Sequence, residues 1–166
     1  MTVTYESYLP GALGGLVALQ TQTHARDLGY GVGFETKVAA DMAEFLGRQQ
    51  PGRDLFLTAW EDGRLAGGIT VDGGEHDPAQ RLAHLRWFVV APAWRGRGIG
   101  SHLLGRAVDF ARGGGYGRIY LWTVAGLDSA RRLYDAAGFV LAEEVMAATW
   151  GKTMREQRLV LDLVPA

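Results

Sequence analysis

The sequence predicts an α/β sandwich built on one mixed β-sheet of about six to seven strands, with about four helices. Apolar runs and amphipathic stretches follow in the order strand, two helices, three strands, helix, strand, helix, two strands. Strands alternate with helices only in the middle of the chain, which is typical of a mixed sheet containing a parallel crossover. No repeat or linker divides the chain, so we expect a single domain over residues 1–166.

The first third of the chain predicts a short strand and two helices. Residues 2–9 alternate well enough for a strand, which a Pro-Gly pair ends. Apolar side chains at helical spacing predict a helix over residues 13–25. After the glycine-rich stretch "LGYGVGF", a second helix is expected from residue 34 or 35 to residue 46.

A hairpin and a long strand come next. Residues 54–61 and 64–71 are apolar runs joined by an Asp-Gly pair, which is typical of tight hairpin turns. A polar loop over residues 72–80 leads to a strand over residues 81–92. Strict alternation along that strand would place three side chains on one face: Leu85, Trp87 and Val89.

The remaining chain predicts two helices and three strands. The expected order is a helix over 99–112, a strand over 118–124, a helix over 127–138, and strands over 139–149 and 156–163. The apolar stripe of the first helix comprises Ile99, Leu103, Leu104, Ala107, Val108 and Ala111. The terminal strand could pair or swap between copies, so a homodimer is possible.

Composition excludes several function classes. The net charge of −1 gives no electrostatic basis for binding nucleic acid or an anionic membrane. With no cysteine, the chain has no disulfide, thiolate metal site or cysteine nucleophile. His24 and His84 have no partners at metal-ligand spacing, so no metal is expected. The sequence shows no signal peptide or membrane span, which predicts a cytoplasmic protein.

The stretch "RGRGIG", residues 95–100, places three glycines and two arginines before a helix. Such a turn directs several backbone N–H groups at one spot, and the helix dipole adds positive potential, so it predicts a phosphate site. Arg95 and Arg97 favour it because guanidinium groups bind phosphate in a paired geometry. The spacing fits neither a P-loop nor a dinucleotide fingerprint.

Two segments resemble the signatures of the GCN5-related N-acetyltransferases. "VVAPAWRGRGIGSHLL" is similar to the family's motif A, and "SARRLYDAAGF" to its second signature, in the same order and at the usual separation. "HLRWFVVAPAWRGRGIG" and "EQRLVLDL" resemble more closely the acetyltransferase domain often fused behind MarR-type regulators. The chain begins at the acetyltransferase part, so no DNA binding is expected. The resemblance implies a three-layer sandwich with a centrally splayed sheet.

The resemblance also implies an acetyl-CoA site. Phe88, Val89 and Val90 would contact the pantetheine arm and the acetyl carbonyl, and Arg95 occupies the first position of the motif. The pyrophosphate would lie on Gly96, Arg97, Gly98, Ile99, Gly100 and Ser101. The competing interpretation is a tight strand-to-helix connection with exposed arginines.

Tyr134 matches the family's usual general acid, which protonates the departing thiolate. Alternatively, its ring only packs in the core with the apolar face of its helix. The general base is less clear, because Trp122 and Thr123 stand where many relatives have a carboxylate, and Leu127 replaces a frequent asparagine.

Glu35 is the first candidate for the base or for binding the amine, in a region made acidic by Asp27, Asp41 and Glu44. Its structural alternative is a first-turn glutamate that complements the helix dipole. Glu143, Glu144 and the "GEHD" loop are weaker candidates. The expected activity is acetyl transfer from acetyl-CoA to a primary amine, on a small molecule or a peptide, by direct attack in a ternary complex. The alternatives are a non-catalytic acyl-CoA-binding module and another phosphate-ligand-binding protein.

Overall fold

The computed structural model describes residues 2–74 and 78–163. The α-helices of this part are α1 (Ala12–Leu28), α2 (Val32–Arg48), α3 (Ile99–Gly113) and α4 (Asp128–Ala136). The strands are β1 (Thr4–Glu6), β2 (Leu55–Glu61), β3 (Arg64–Asp72), β4 (Leu82–Val90), β5 (Arg118–Val124), β6 (Val140–Ala147) and β7 (Met154–Asp162). The predicted element order is confirmed.

One sheet with the strand order β1-β2-β3-β4-β5-β7-β6 contains all seven strands. Only β4 and β5 are parallel, and their pairing stops at His84 and Tyr120. Beyond that point β4 stays paired with β3 as far as Val90, and β5 with β7 as far as Val124. The two central strands therefore part towards their carboxyl ends, which confirms the mixed, centrally splayed sheet.

The helices cover both faces of the sheet and form two hydrophobic clusters. On one face, α3 buries its whole predicted stripe, and α4 adds Tyr134 to the same cluster. On the other face, α1 and α2 bury Leu16, Phe34, Met42 and Phe45 against β2 and β4. Burying a large apolar side chain contributes about 1.5–3 kcal/mol, so both layers are held mainly by these contacts.

Several boundaries differ from the sequence expectation. β1 is only three residues long, whereas α1 continues to Leu28 and ends at Gly29, whose φ of 73° is left-handed. α2 starts at Val32, before the expected residue 34 or 35. Glycines inside "LGYGVGF" thus flank a tight helix–helix connection rather than a long loop.

The terminal strand β7 lies inside the sheet, between β5 and β6. Both of its edges are occupied, so it offers no free edge for pairing with another copy. The edge strands are β1 and β6, and Val140 and Met146 on β6 are exposed. The homodimer remains a prediction.

A buried charge network ties α2 to the centre of the sheet. Asp72 at the end of β3 is fully buried and accepts hydrogen bonds of 2.9 and 2.8 Å from Arg48 and of 3.1 Å from Arg86. Burial alone would raise the pKa of Asp72, but the arginine and backbone hydrogen bonds outweigh it and lower that pKa to about 2.

Candidate functional site

A continuous cleft of about 1120 Å³ opens where β4 and β5 part. One end is lined by β4, the first turn of α3 and α4, and the other by α1, α2, β7 and the loop before β7. From Phe88 to Val90, the edge of β4 that faces β5 has no strand partner in the described sheet. Unpaired backbone groups at such an edge are available to an extended ligand.

A bulge in β4 sets which side chains enter each end of the cleft. Trp87 has a left-handed φ of 52°, and the register with β3 shifts between Gly68 and Thr70. As a result Leu85 packs in the α3 cluster, whereas Trp87 and Val89 pack in the α1–α2 cluster. The predicted strict alternation of Leu85, Trp87 and Val89 on one face is therefore wrong, because a bulge reverses the side-chain directions.

The glycine turn leaves an open space at the start of α3. Gly96 and Gly98 have left-handed φ values of 76° and 82°, and a Cβ on either would meet nothing within 4 Å. Gly100 is different, because a Cβ there would lie 3.1 Å from Leu133 and 3.5 Å from Phe88. Two glycines thus shape the turn, and the third lets α3 pack closely on β4 and α4.

The turn fits an anionic group such as a pyrophosphate. Gly98 is the N-cap of α3 and supplies no side-chain cap, so the first N–H groups of the helix are left for a ligand. Gly96, Gly98, Ile99, Gly100 and Ser101 line the cleft. The three β4 residues predicted to contact the pantetheine arm line it as well: Phe88, Val89 and Val90.

The two arginines of the turn have different partners. Arg95 is exposed, lines the cleft and donates a 3.1 Å hydrogen bond from Nε to the carbonyl of Val90. Arg97 donates two hydrogen bonds, of 3.0 and 2.7 Å, to the carboxylate of Glu61. Arg97 is not among the residues that line the cleft, and its predicted contact with the pyrophosphate stays a prediction.

Glu61, at the end of β2, anchors the glycine turn through its side chain. Its side chain is 3% exposed and accepts a 2.8 Å hydrogen bond from Trp94 Nε1 besides those from Arg97. Hydrogen bonds from Arg97 and then Trp94 lower the pKa of Glu61 to about 2. The carboxylate therefore stays charged. It binds Trp94 and Arg97, the residues directly before and after Arg95 and Gly96.

Tyr134 lies at the α4 wall of the cleft and also belongs to the α3 hydrophobic cluster. Its ring is buried against Phe88 and Phe139, with centroid separations of 5.9 and 5.8 Å. Burial raises the pKa of Tyr134 above its ordinary value, so the phenol keeps its proton at neutral pH. Its role as the acid stays a prediction.

The structure does not bring Glu35 together with Tyr134. Glu35 is exposed on the first turn of α2 and is not among the residues that line the cleft. Its neighbours Phe34 and Lys37 do line it. Glu143 and Glu144 pair with Arg158 and Gln157 on the exposed β6 edge, and residues 75–77 of the "GEHD" loop lie outside the described part of the chain.

Sequence reasoning missed most residues at the α1–α2 end of the cleft. This end is lined by Tyr30, Trp87, Trp150 and Glu156. It is also lined by Trp122, which the sequence analysis noted only because many relatives have a carboxylate at that position. Glu156 looks like an ordinary polar position of a terminal strand, and Trp150 lies in a loop. No local pattern distinguishes them, because distant elements bring them together.

The described residues offer neither a metal-binding cluster nor a membrane-spanning helix. Residues 2–74 and 78–163 contain no group of three or more His, Asp or Glu side chains arranged to hold a metal ion. In the same ranges, every helix is too short or too polar to cross a membrane.

Comparison with known proteins identifies the family. The model of the acetyltransferase (GNAT) family matches residues 20–139. The chain belongs to this family. The GNAT model covers the cleft from α1 to the end of α4, including the glycine turn and Tyr134.

Among curated GNAT relatives, the uncharacterized N-acetyltransferase YjgM of Escherichia coli is 31% identical over 116 residues, which are 69% of this chain and 66% of YjgM. The N-alpha-acetyltransferase RimI of Mycobacterium tuberculosis is 48% identical over 50 residues, 30% of each protein. The matched stretches thus span less than two thirds of these relatives.

Solved structures show the same GNAT fold. YncA from Salmonella typhimurium, an acetyltransferase determined with acetyl-CoA, superimposes with a TM-score of 0.79 at 17% identity and covers 100% of this chain and 96% of its own. An N-acetyltransferase from Staphylococcus aureus gives a TM-score of 0.77 at 17% identity. The match covers 99% of this chain and 100% of the Staphylococcus aureus chain.

Proposed function

We propose that the protein is an acetyl-CoA-dependent N-acetyltransferase that acts on a primary amine by direct attack in a ternary complex. The observation that carries the proposal is one cleft containing three parts: the open glycine turn, the unpaired edge of β4 and the buried phenol of Tyr134. The GNAT family model and the curated N-acetyltransferase relatives support it. The closer resemblance to acetyltransferase domains fused behind MarR-type regulators stays a prediction.

Acetyl-CoA would supply the activated acetyl thioester. The turn at Gly96 and Gly98 would bind its pyrophosphate through backbone N–H groups, and Arg95 would add charge at the rim of the cleft. The backbone at Phe88 to Val90 would bind the extended arm. A backbone N–H of the same segment would stabilise negative charge that develops on the acetyl oxygen.

Tyr134 would act as the general acid. As the carbon–sulfur bond breaks, its hydroxyl would give a proton to the leaving thiolate, and the tyrosinate would be reprotonated from the proton that the amine loses. In the described part of the chain no side chain hydrogen-bonds this hydroxyl, so its proton is not committed to another acceptor.

The composition of the chain favours direct transfer. Without cysteine, the commonest covalent acyl carrier is missing. Initial rates measured over a grid of acetyl-CoA and amine concentrations test this step. Double-reciprocal lines should intersect, as for a ternary complex. Parallel lines, with an acetylated protein detected by mass spectrometry, would contradict it.

A further inference from the structure

The α1–α2 end of the cleft contains a buried carboxylate without a cationic partner. Glu156 on β7 is 3% exposed, and its two oxygens accept hydrogen bonds of 2.7 Å from Thr149 Oγ1 and 3.1 Å from the Thr149 backbone N–H. Both donors are neutral, and within the described ranges Glu156 takes part in no ion pair. Buried carboxylates are usually paired with a cation, because an unpaired charge is costly in a poorly solvated site.

The cations of this end are engaged elsewhere. Lys37 Nζ lies 2.9 Å from Asp41, and Arg86 lies 3.1 Å from Asp72 and 3.5 Å from Asp41. His24 is fixed through Nδ1, 2.8 Å from the carbonyl of Gln20, and burial lowers its pKa, so it is neutral at pH 7. None of these three side chains pairs with Glu156 in the described ranges, so a cationic partner would be supplied by a ligand.

Two buried polar groups that line the same cleft as Glu156 are also left without partners in the described chain. The Tyr30 hydroxyl and Gln20 Nε2 have no hydrogen-bond partner in the described part of the chain, although both residues are only 4% exposed. Burial, and then the negative charge of Glu156, raise the pKa of Tyr30 to about 12. The same charge that disfavours a tyrosinate favours a bound cation.

The walls around Glu156 are aromatic. Trp87, Trp122 and Trp150 line this end, with Phe34 stacked on Tyr30 at a centroid separation of 5.1 Å. Indole rings offer large apolar surfaces and attract ammonium groups to their faces. The site therefore combines apolar walls with a buried carboxylate that has no cationic partner in the described chain. By contrast, Asp27 and Asp41, which also line the cleft, pair with Arg26 and Lys37.

The position of Glu156 suits an attacking amine. Glu156 pairs with Val124 at the carboxyl end of β5, where the sheet has opened. Trp87 and Trp150 pack in the α1–α2 cluster, whereas Phe88 and Tyr134 pack in the α3 cluster on the other face. An amine at the α1–α2 end would reach the gap from the face opposite the proposed acid.

We propose that the acceptor is a monoamine with an apolar or aromatic body, whose ammonium group binds Glu156 while the body packs among Trp87, Trp122 and Trp150. This inference rests on the proposed function, of which it names the acceptor class. An amino acid is disfavoured because its carboxylate would find Lys37 and Arg86 already paired with Asp41 and Asp72.

Calorimetry on the CoA-loaded protein tests the binding site without requiring turnover. Phenethylamine should bind, and L-phenylalanine, which has the same body plus a carboxylate, should bind at least about tenfold more weakly. Glu156→Gln should weaken phenethylamine binding by about 30-fold or more, as expected on removal of one partner of a buried charge pair. Glu6→Gln, on the exposed end of β1, is the matched control and should leave binding unchanged.

A second variant guards against a folding defect. Glu156→Asp retains the charge and should bind phenethylamine better than Glu156→Gln, with the CoA affinity of both variants equal to that of the wild type. Equal amine affinity of wild type and Glu156→Gln would overturn the inference. So would a loss of CoA binding that matches the loss of amine binding.

The outcomes separate this inference from the proposed function. Phenethylamine that binds through Glu156 but is never acetylated would refute the proposed activity and support the acceptor site. Acetylation of amino acids or peptides, with no binding of phenethylamine, would refute the acceptor class and support the activity. Neither binding nor acetylation of any amine would refute both.

Discussion

Replacing Gly98 by alanine separates the backbone role of the glycine turn from its role in ligand binding. Gly98 is the N-cap of α3 with φ +82°, and an added Cβ would meet nothing within 4 Å of the protein. The cost to the free protein is therefore the left-handed backbone alone, about 1–2 kcal/mol. In a chain of this length that corresponds to a Tm lower by about 2–8 °C.

Gly11→Ala is a closely matched control. Gly11 is the N-cap of α1, has φ +93° and likewise leaves an added Cβ without a neighbour within 4 Å. It does not line the cleft. The two variants should therefore lose similar unfolding free energy in urea.

Acetyl-CoA affinity should distinguish the two variants. At Gly98 the new methyl group would occupy the open side of the turn, where a pyrophosphate must approach the backbone. We expect the Kd for acetyl-CoA to rise at least about tenfold, or about 1.4 kcal/mol, in Gly98→Ala and to stay at the wild-type value in Gly11→Ala. Equal Kd values in all three proteins would refute the assignment of the turn.

Two further predictions concern the scaffold. Gly67→Ala should lower the unfolding free energy by about 2 kcal/mol or more and impair acetyl-CoA binding. The added Cβ would lie 2.5 Å from the Val89 carbonyl oxygen and push β4 away. Wild-type stability of this variant would contradict the prediction. Asp72, whose pKa falls from 3.8 unfolded to about 2 folded, should contribute about 1–2 kcal/mol above pH 4. That contribution should be lost as the pH falls from about 4 to 2, and urea titrations should show a smaller acid dependence in Asp72→Asn.

Sequence reasoning succeeded where a structural element depends on neighbouring residues. The stripe from Ile99 to Ala111 and the turn before it are local patterns, and both lie where the spacing predicts. The parting of β4 and β5 was expected only through family resemblance. Three features were not predictable from spacing, because they depend on side chains far apart in the chain: the bulge at Trp87, the capture of Arg97 by Glu61 and the buried Glu156.

Glu35, which is exposed and does not line the cleft, illustrates the same limit. A first-turn glutamate is compatible with both a dipole-stabilising role and a catalytic role, and the sequence cannot tell which way it faces. In the folded chain α2 turns Phe34 and Val38 inwards and leaves Glu35 exposed. Glu35 and Glu156 are the same residue type, but Glu35 is exposed and Glu156 is buried in the cleft.

Thiol release from acetyl-CoA in the presence of an amine panel, compared between wild type and Tyr134→Phe, tests the proposed mechanism most directly. Tyr8→Phe, which removes the hydroxyl of an exposed tyrosine, is the control. We predict amine-dependent release by wild type and Tyr8→Phe, and a kcat about 10²- to 10⁴-fold lower in Tyr134→Phe with unchanged acetyl-CoA affinity. The same kcat in all three proteins would contradict the role of Tyr134, and tight acetyl-CoA binding without release from any amine would contradict the acetyltransferase activity itself.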